Sequence, residues 1–183
     1  AAVATVVGER VPHVVAGDCV FGYAPGCTAS VVRTDAHLQV RMPISVSFEE
    51  ACTLPILWCT NSLALSECMR LAAGQCILVH ATTGGIGLVA LELALRVGSS
   101  VAGSVGRPSK VCFLRELGIE SVATSRDART FAHGSARCLE SRRLHAVLSA
   151  LTMDFIPSAL ALLNDQSRYL DVGKINIWSE ART

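Results

Sequence analysis

The sequence has no excess of charge of either sign and no long run of basic residues. Lysine and arginine number 16 against 15 for aspartate and glutamate, which gives a formal net charge of +1. Nucleic acids and acidic lipid surfaces attract clustered basic side chains, and no such cluster occurs along the chain. We therefore expect neither a nucleic-acid partner nor a membrane partner.

The sequence also lacks the residue spacing of a metal or redox site. None of its eight cysteines forms a Cys-x-x-Cys pair, and its five histidines are scattered. No Cys/His/Glu set of the kind that holds zinc in an alcohol dehydrogenase can be assembled. Several cysteines lie inside apolar runs, where a free thiol acts as a small hydrophobic side chain. These features predict no bound metal and reduced thiols in a cytoplasmic protein.

No segment has the character of a membrane span or a leader peptide. The most apolar stretch, residues 86–105, contains Glu92 and Arg96 and is interrupted by Ser99 and Ser100. Charges inside a bilayer are unfavourable, so this stretch predicts a buried helix followed by a buried strand. The N-terminus has no charged region leading into an apolar one, so we expect no signal peptide.

What is present is a packed globular composition, with 51% hydrophobic residues in a chain of 183. That length suffices for one domain, or for one domain and part of another. The first segment, to about Pro43, is rich in valine, glycine and turn residues. A tight turn at Gly17-Asp18 and strands at residues 20–22 and 29–33 are expected there. This segment predicts part of a small β domain whose start is absent.

A capping box opens the next segment at Ser47-Phe48-Glu49-Glu50. Ser47 can accept from the first-turn amides while Glu50 reaches back, so a helix should begin there. We expect Pro55 to interrupt this helix because proline lacks the amide donor. A second helix should run from Thr60 to about Leu71.

From Gln75 onward the chain alternates strands with helices. The patterns predict strands at 76–80, 101–105, 121–124, 144–148 and 169–172, and helices at 84–97, 108–117, 127–140 and 154–163. Such alternation is typical of a parallel sheet with helices on both faces and right-handed connections. Five strands make nearly a whole Rossmann-type doubly wound domain. No sixth strand is expected before Thr183.

The glycine-rich segment Ala81-Thr82-Thr83-Gly84-Gly85-Ile86-Gly87 follows the first strand of this region and opens its first helix. Glycines allow a pyrophosphate to approach the backbone, and a helix N-terminus offers free amides and partial positive charge. The context favours a dinucleotide site over a lone glycine pattern. The alternative is a tight strand-to-helix turn without a ligand.

The residues after the second strand indicate which dinucleotide is bound. NAD-specific domains place an acidic residue there to hold the ribose hydroxyls. Here the strand ends in Ser104-Val105-Gly106, and Arg107 and Lys110 follow. Positive groups suit a 2′-phosphate, so the sequence favours NADPH. The alternative is that both residues are solvated surface charges.

Motifs spread over nearly the whole chain resemble the enoyl reductase domain of modular polyketide synthases and animal-type fatty acid synthase. This family belongs to the zinc-independent medium-chain dehydrogenase/reductases. The matching pieces, in order, are Gly17-Asp18-Cys19-Val20-Phe21-Gly22, Ser47-Phe48-Glu49-Glu50-Ala51, Leu54-Pro55 with Thr60, Val79-His80-Ala81 leading into Gly84-Gly85-Ile86-Gly87, Pro108-Ser109-Lys110, Ser125-Arg126-Asp127, and Gly173-Lys174 with Ile177-Trp178.

The resemblance implies an α/β fold, with part of a small GroES-like β domain and linker helix in residues 1–59. A Rossmann nicotinamide-binding domain lacking its last strand would follow in residues 60–183. It implies NADPH-dependent reduction of the α,β double bond of an enoyl thioester on an acyl carrier protein, beside other synthase domains. A sheet without its last strand would expose an open edge and apolar surface, so we expect the chain to dimerise or aggregate unless further parts cover that edge. Candidate cofactor contacts are Thr60, Thr83, Gly84, Gly85, Ile86, Gly87, Arg107, Lys110, Gly173 and Lys174.

The resemblance also implies that Lys110 and Asp127 supply or relay the proton that reaches the α carbon. A lysine held by an aspartate can donate a proton. Lys110 cannot easily serve both a cofactor phosphate and a substrate carbon, so its role stays open between the two.

The chain departs from the family at several points. The substrate-side section with a tyrosine proposed as proton donor is absent, and Ser149 stands where the family has asparagine on the fourth strand. A fragment of a larger synthase is the favoured interpretation. The alternatives are a structural remnant that no longer reduces a substrate, a free-standing quinone or enone reductase, and a regulatory NADPH-binding module.

Overall fold

The computed structural model describes residues 1–139 and 143–173, and the chain divides into two compact units, Ala1–Cys59 and Thr60–Thr183. The first unit holds an antiparallel sheet of β1 (Ala2–Val3), β2 (Cys19–Gly22) and β3 (Gln39–Arg41) in that order. Gly17 takes a φ of +94° in the turn before β2. The Asp18 carboxylate stabilises this turn by accepting from the Val15 amide at 2.8 Å. The predicted turn and the strand at 20–22 are confirmed.

The predicted strand at residues 29–33 is wrong. This segment forms bends after a turn at Gly26, where φ is +67°, and Val31 is 80% exposed. Alternating valines favour an extended chain, but a strand requires a partner strand and a buried face, and this segment has neither in the described residues.

Helix α1 (Phe48–Asn61) begins at the predicted capping box. The Ser47 amide donates to the Glu50 carboxylate at 2.9 Å, and the Glu50 amide donates to the Ser47 hydroxyl at 3.2 Å. The predicted break at Pro55 is wrong, because the helix continues through the proline. One missing donor removes a single hydrogen bond from a helix that continues on both sides of it.

The predicted second helix, from Thr60 to Leu71, is instead a π-helix at Ser62–Cys68 that continues directly from α1. The Met69 amide donates to the Ala64 carbonyl at 2.9 Å, five residues back, which is the π-helical spacing. Helix α1 extends to Asn61 and the π-helix continues from it without a break, so the predicted start of a new helix at Thr60 is also wrong.

The second unit alternates strands and helices as predicted. Its elements are β4 (Cys76–Val79), α2 (Gly85–Val97), β5 (Ser100–Val105), α3 (Ser109–Glu116), β6 (Val122–Thr124), α4 (Ala128–Leu139), β7 (Leu144–Ser149), α5 (Ile156–Leu160) and β8 (Leu163–Asp171). The five strands are parallel in the order β6-β5-β4-β7-β8. The Rossmann-type sheet is confirmed. The strand order reverses between β4 and β7, where doubly wound folds bind ligands.

The core lies on both faces of this sheet, and β4 contributes to each face because its side chains alternate. Ile77 and Val79 pack with Leu91 of α2 and Leu114 of α3. Leu78 packs on the other face with residues of α4 and α5. The apolar stretch 86–105 therefore forms α2 and β5. In the parts of the chain that the structure describes, each helix is too short or too polar to cross a membrane.

The last helix and strand differ from their predicted bounds. A 3₁₀ turn at Met153–Phe155 precedes α5, which ends at Leu160, so the predicted helix at 154–163 is too long. Strand β8 begins at Leu163 because that residue pairs with Leu144, and an irregularity then shifts the register. Pairing with a neighbouring strand thus outweighs the local helical pattern.

Candidate functional site

The glycine-rich turn lies between β4 and α2 at the carboxyl edge of the parallel sheet. Gly84 is the N-cap of α2 and has an extended backbone, with φ −83° and ψ 168°. It has no side chain to accept from the amides of the first turn, and both Gly84 and Gly85 are exposed. The start of α2 is therefore exposed and carries no capping side chain, and with the positive end of the helix dipole it suits an anionic ligand.

Gly87 allows α2 to approach the turn closely. A Cβ atom at this position would lie 2.6 Å from the Ala81 carbonyl oxygen and from backbone atoms of Thr82. Ala81 has a φ of +50°, and its carbonyl accepts from the Gly84 amide at 2.8 Å. The chain thus reverses within a few residues and brings the start of α2 against the end of β4.

A buried polar cluster lies beneath this turn. The Thr82 hydroxyl donates to the Val79 carbonyl at 2.7 Å and accepts from the Ser104 amide at 2.9 Å. Nδ1 of His80 is hydrogen-bonded to the Ser104 hydroxyl at 2.9 Å. Burial lowers the pKa of His80 to about 4, so its imidazole is neutral at pH 7. The cluster joins the carboxyl ends of β4 and β5 through side chains.

Basic side chains surround the carboxyl end of β5. Arg107 and Lys110 are exposed, and the Lys110 amide donates to the Arg107 carbonyl at 3.0 Å. The exposed side chain of Arg126, just beyond β6, donates from Nε to the Gly106 carbonyl. Sequence reasoning did not include Arg126 among the cofactor residues. Its position after the strand next to β5 was the available signal, because parallel neighbours end at the same sheet edge.

Asp127 is the N-cap of α4. Its carboxylate accepts from the Thr130 amide at 2.9 Å and from the Arg129 amide at 3.1 Å. Hydrogen bonds from Thr130, then from Arg129, hold the pKa of Asp127 below its usual value. Among the described residues, Asp127 forms no ion pair with Lys110. The ion pair by which the aspartate would hold the lysine in place is therefore not formed in this structure.

The remaining predicted residues lie around the turn. Thr60 and Thr83 are half-buried. Thr60 precedes Asn61, whose side-chain amide donates to the carbonyl of Ile86 at 3.0 Å and so brings the end of α1 to the first turn of α2.

Of the two candidate residues after β8, the structure describes only Gly173. The Gly173 amide donates to the Asp171 carboxylate at 2.7 Å, whereas Lys174 and the Ile177-Trp178 motif lie outside the described residues. In the described ranges, no three acidic, histidine or cysteine side chains are grouped to hold a metal ion.

Known proteins resemble the chain over nearly its whole length, although no family model matches it. It is 35% identical over 184 residues to the spectinabilin polyketide synthase system protein NorB of Streptomyces orinoci. The match includes 100% of this chain and 8% of NorB.

Two solved structures share the fold of the chain. The CurK enoyl reductase superposes with a TM-score of 0.83 at 29% identity, covering 97% of this chain and 53% of CurK. The nucleotide-binding subdomain of the enoylreductase domain of PpsC from Mycobacterium tuberculosis superposes with a TM-score of 0.61 at 28% identity, covering 65% of this chain and 66% of that subdomain. The chain thus spans about half of the CurK enoyl reductase chain and under a tenth of NorB.

Proposed function

We propose that this chain, which is related to the enoyl reductase domains of modular polyketide synthases within the medium-chain dehydrogenase/reductase superfamily, binds NADPH and takes part in reducing the α,β double bond of an enoyl thioester. The observation that carries the proposal is the exposed glycine turn at the strand-order reversal, with three basic side chains at the neighbouring strand ends. The substrate would be carried on an acyl carrier protein, and other domains of the same synthase would be its partners.

The turn fits the pyrophosphate of a dinucleotide. The first-turn amides of α2 have no capping side chain, and Gly84 and Gly85 leave the approach open. Thr83 stands in the same turn, where its hydroxyl could add a phosphate contact. Thr60, at the end of α1, would lie beside the bound cofactor because Asn61 bonds to Ile86.

The edge beyond β5 fits a 2′-phosphate rather than free ribose hydroxyls. Residues 106–115, directly after β5, include no acidic residue, whereas Arg107, Lys110 and Arg126 are exposed. The Nε of Arg126 is anchored on the Gly106 carbonyl, so its terminal nitrogens remain to face a phosphate. Arginine offers such paired donors in a rigid plane. This arrangement supports NADPH over NADH.

The geometry favours phosphate binding over proton transfer for Lys110. In a doubly wound sheet, the residue that distinguishes NADPH from NADH at the ribose comes directly after the second strand, here β5. The rest of the dinucleotide then extends past the point where the strand order reverses, toward the fourth strand, here β7. Lys110 follows β5, the second strand. The Asp127 carboxylate is held ionised by two amides, so at neutral pH it would not donate a proton. The proton-transfer role of both residues stays a prediction.

When bound, NADPH supplies a hydride to the β carbon of the enoyl group. The residues of this chain would bind and orient the cofactor: α2 and the glycine turn hold the pyrophosphate, and the basic cluster holds the 2′-phosphate. We assign residues 60–183 to this task and residues 1–59 to the substrate side.

A non-reducing structural remnant is the second candidate, and Ser149 is the observation that favours it. This residue is 1% exposed at the end of β7, and it stands where related domains are expected to have asparagine. Its hydroxyl accepts from the Leu151 amide at 3.5 Å, so it serves the local backbone. A shorter side chain there would leave a cofactor or substrate group without an amide partner.

The test is a titration of the purified protein with NADPH and with NADH, followed by nicotinamide fluorescence, and then addition of a crotonyl-pantetheine thioester. Tight NADPH binding with oxidation on addition of the thioester supports the reductase. Binding without oxidation would favour the remnant, and oxidation by a quinone but not by the thioester would favour a free-standing quinone reductase. A folded protein that bound neither nucleotide would contradict the proposal.

A further inference from the structure

We propose that His80 and Ser104 form a positioning pair that determines the preference for NADPH over NADH. The inference rests on the proposed function and goes beyond it, because neither side chain is assigned a contact with the cofactor. The pair would act on the 2′-phosphate site through the backbone of β5.

Ser104 is held from both sides near the end of β5. Its hydroxyl is bonded to Nδ1 of His80 at 2.9 Å, and its amide donates to the Thr82 hydroxyl at 2.9 Å. Its carbonyl accepts from the Thr82 amide at 3.1 Å. All three residues are at most 2% exposed. The position of this one residue is therefore set by the end of β4 and by the glycine turn together.

The proposed 2′-phosphate site begins only two residues after Ser104, so the position of Ser104 affects it. Gly106 follows Ser104 by two positions, and its carbonyl accepts from Nε of Arg126. A displacement of Ser104 would move the Gly106 carbonyl and with it the guanidinium group. The bond between His80 and Ser104 thus links the turn that suits pyrophosphate to the arginine that suits the 2′-phosphate.

Sterics show that this part of the fold is built closely around the polar cluster. A Cβ atom at Gly103 would lie 2.8 Å from the Thr82 hydroxyl oxygen. The ring of Phe131 in α4 packs against His80, with the ring centroids 5.1 Å apart. Neither Ser104 nor His80 can therefore shift without its neighbours.

A purely structural role for His80 explains the geometry less well. Nε2 of His80 is buried and has no hydrogen-bond partner among the described residues. An aromatic hydrocarbon ring would fill the same space without burying an unpaired polar atom, which is unfavourable. What the imidazole provides and a phenyl ring cannot is the bond to Ser104.

The experiment compares five variants of the purified protein, four single substitutions and the Ser104→Ala/His80→Phe double variant, by fluorescence titration with NADPH and with NADH, beside thermal unfolding. Ser104→Ala removes the hydroxyl, and His80→Phe fills the volume without the bond. His80→Asn keeps a hydrogen-bonding nitrogen but leaves a gap. Ser135→Ala is the matched control, because Ser135 is another buried serine, 3% exposed, on α4 and outside the cluster.

We expect Ser104→Ala and His80→Phe each to weaken NADPH binding by about tenfold, the effect of one buried hydrogen bond, and to leave NADH binding unchanged. The double variant should be no weaker than either single one. His80→Asn should keep the nucleotide preference although it unfolds at lower temperature, and Ser135→Ala should keep it as well.

An unchanged ratio of NADPH to NADH affinity in Ser104→Ala and His80→Phe would overturn the inference and leave the proposed function standing. A lower ratio in Ser135→Ala would also overturn it, because loss of any buried hydroxyl would then suffice. If the unaltered protein bound neither nucleotide, the proposed function would fall first and this inference with it. If His80→Phe does not fold, Ser104→Ala alone decides.

Discussion

Replacing Gly87 with alanine should separate α2 from the glycine turn. The added Cβ would lie 2.6 Å from the Ala81 carbonyl oxygen and from two backbone atoms of Thr82, about 0.8 Å short of the ordinary 3.4 Å contact. All three atoms belong to the backbone, so no flexible side chain can move away. The first turn of α2 must therefore shift by roughly that distance, because closely packed interiors leave no free space.

The magnitude follows from the cost of such overpacking, which is about 1–3 kcal/mol. For a chain of this size each kcal/mol lowers the midpoint of thermal unfolding by about 2–4 °C, so a decrease of about 2–12 °C is expected. NADPH binding should weaken on the order of tenfold, because the first-turn amides no longer meet the pyrophosphate at the same distance. Thermal unfolding and nicotinamide fluorescence measure the two effects on the same samples.

Gly134→Ala is the matched control. Position 134 is inside α4, and a Cβ there would meet the Ala123 side chain at 3.6 Å, an ordinary contact. Alanine should stabilise that helix by roughly 0.5–1 kcal/mol without affecting nucleotide binding. If Gly87→Ala unfolded at the same temperature as the original protein and bound NADPH equally well, the close approach would not be required and the argument would be refuted.

Four further outcomes are expected. Arg126→Gln should weaken NADPH binding on the order of 10- to 100-fold and leave NADH binding unchanged, since a charged hydrogen bond contributes about 1.5–3 kcal/mol. Equal losses of affinity for both nucleotides in fluorescence titration would refute the proposed phosphate contact. Lys110→Gln should raise the KM for NADPH at constant kcat in steady-state assays, whereas a lower kcat at constant KM would support proton transfer. Asp127→Asn should keep turnover and the start of α4, because asparagine caps helices as well as aspartate does. Asp127→Ala should lower the unfolding temperature, because alanine cannot cap the helix. Loss of turnover in Asp127→Asn would support a catalytic role for Asp127. The pKa of His80 is lowered in the folded state to about 4, so its contribution to stability is complete above the unfolded pKa of about 6.5 and is lost as pH falls toward 4. Between pH 7 and pH 4, the free energy of unfolding measured by denaturation should therefore fall less in His80→Phe than in the original protein. An identical fall in both proteins would show that other groups cause the acid sensitivity.

Local patterns were enough to predict the elements whose formation depends on neighbours in sequence. The capping box at Ser47 and Glu50 involves residues three apart, so its two hydrogen bonds follow from the residue types. The turn from β4 into α2 is a second example, because its glycines and the helix start lie within a few residues. The alternation of apolar strands with helices likewise predicted the parallel sheet, since that pattern has few other ways to bury both faces.

Predictions were wrong where a residue's conformation depends on a distant partner. Residues 29–33 have the composition of a strand, but they pair with no strand in the part of the chain that the structure describes. The helix predicted at 154–163 ends at Leu160 because Leu163 pairs with Leu144. Proline alone predicts a helix break at Pro55, yet α1 continues through this residue. In each case the deciding energy comes from contacts that one-dimensional patterns do not contain.

The sequence by itself determined the class of fold and the place of the glycine turn, because periodicity and turn chemistry act over short distances. Only the tertiary structure decided which side chains meet at the carboxyl edge of the sheet. Arg126 bonds to Gly106, 20 residues away, and His80 bonds to Ser104, 24 residues away. Both pairs form because parallel strands end side by side, and the order of those strands depends on packing the whole sheet rather than on any single segment.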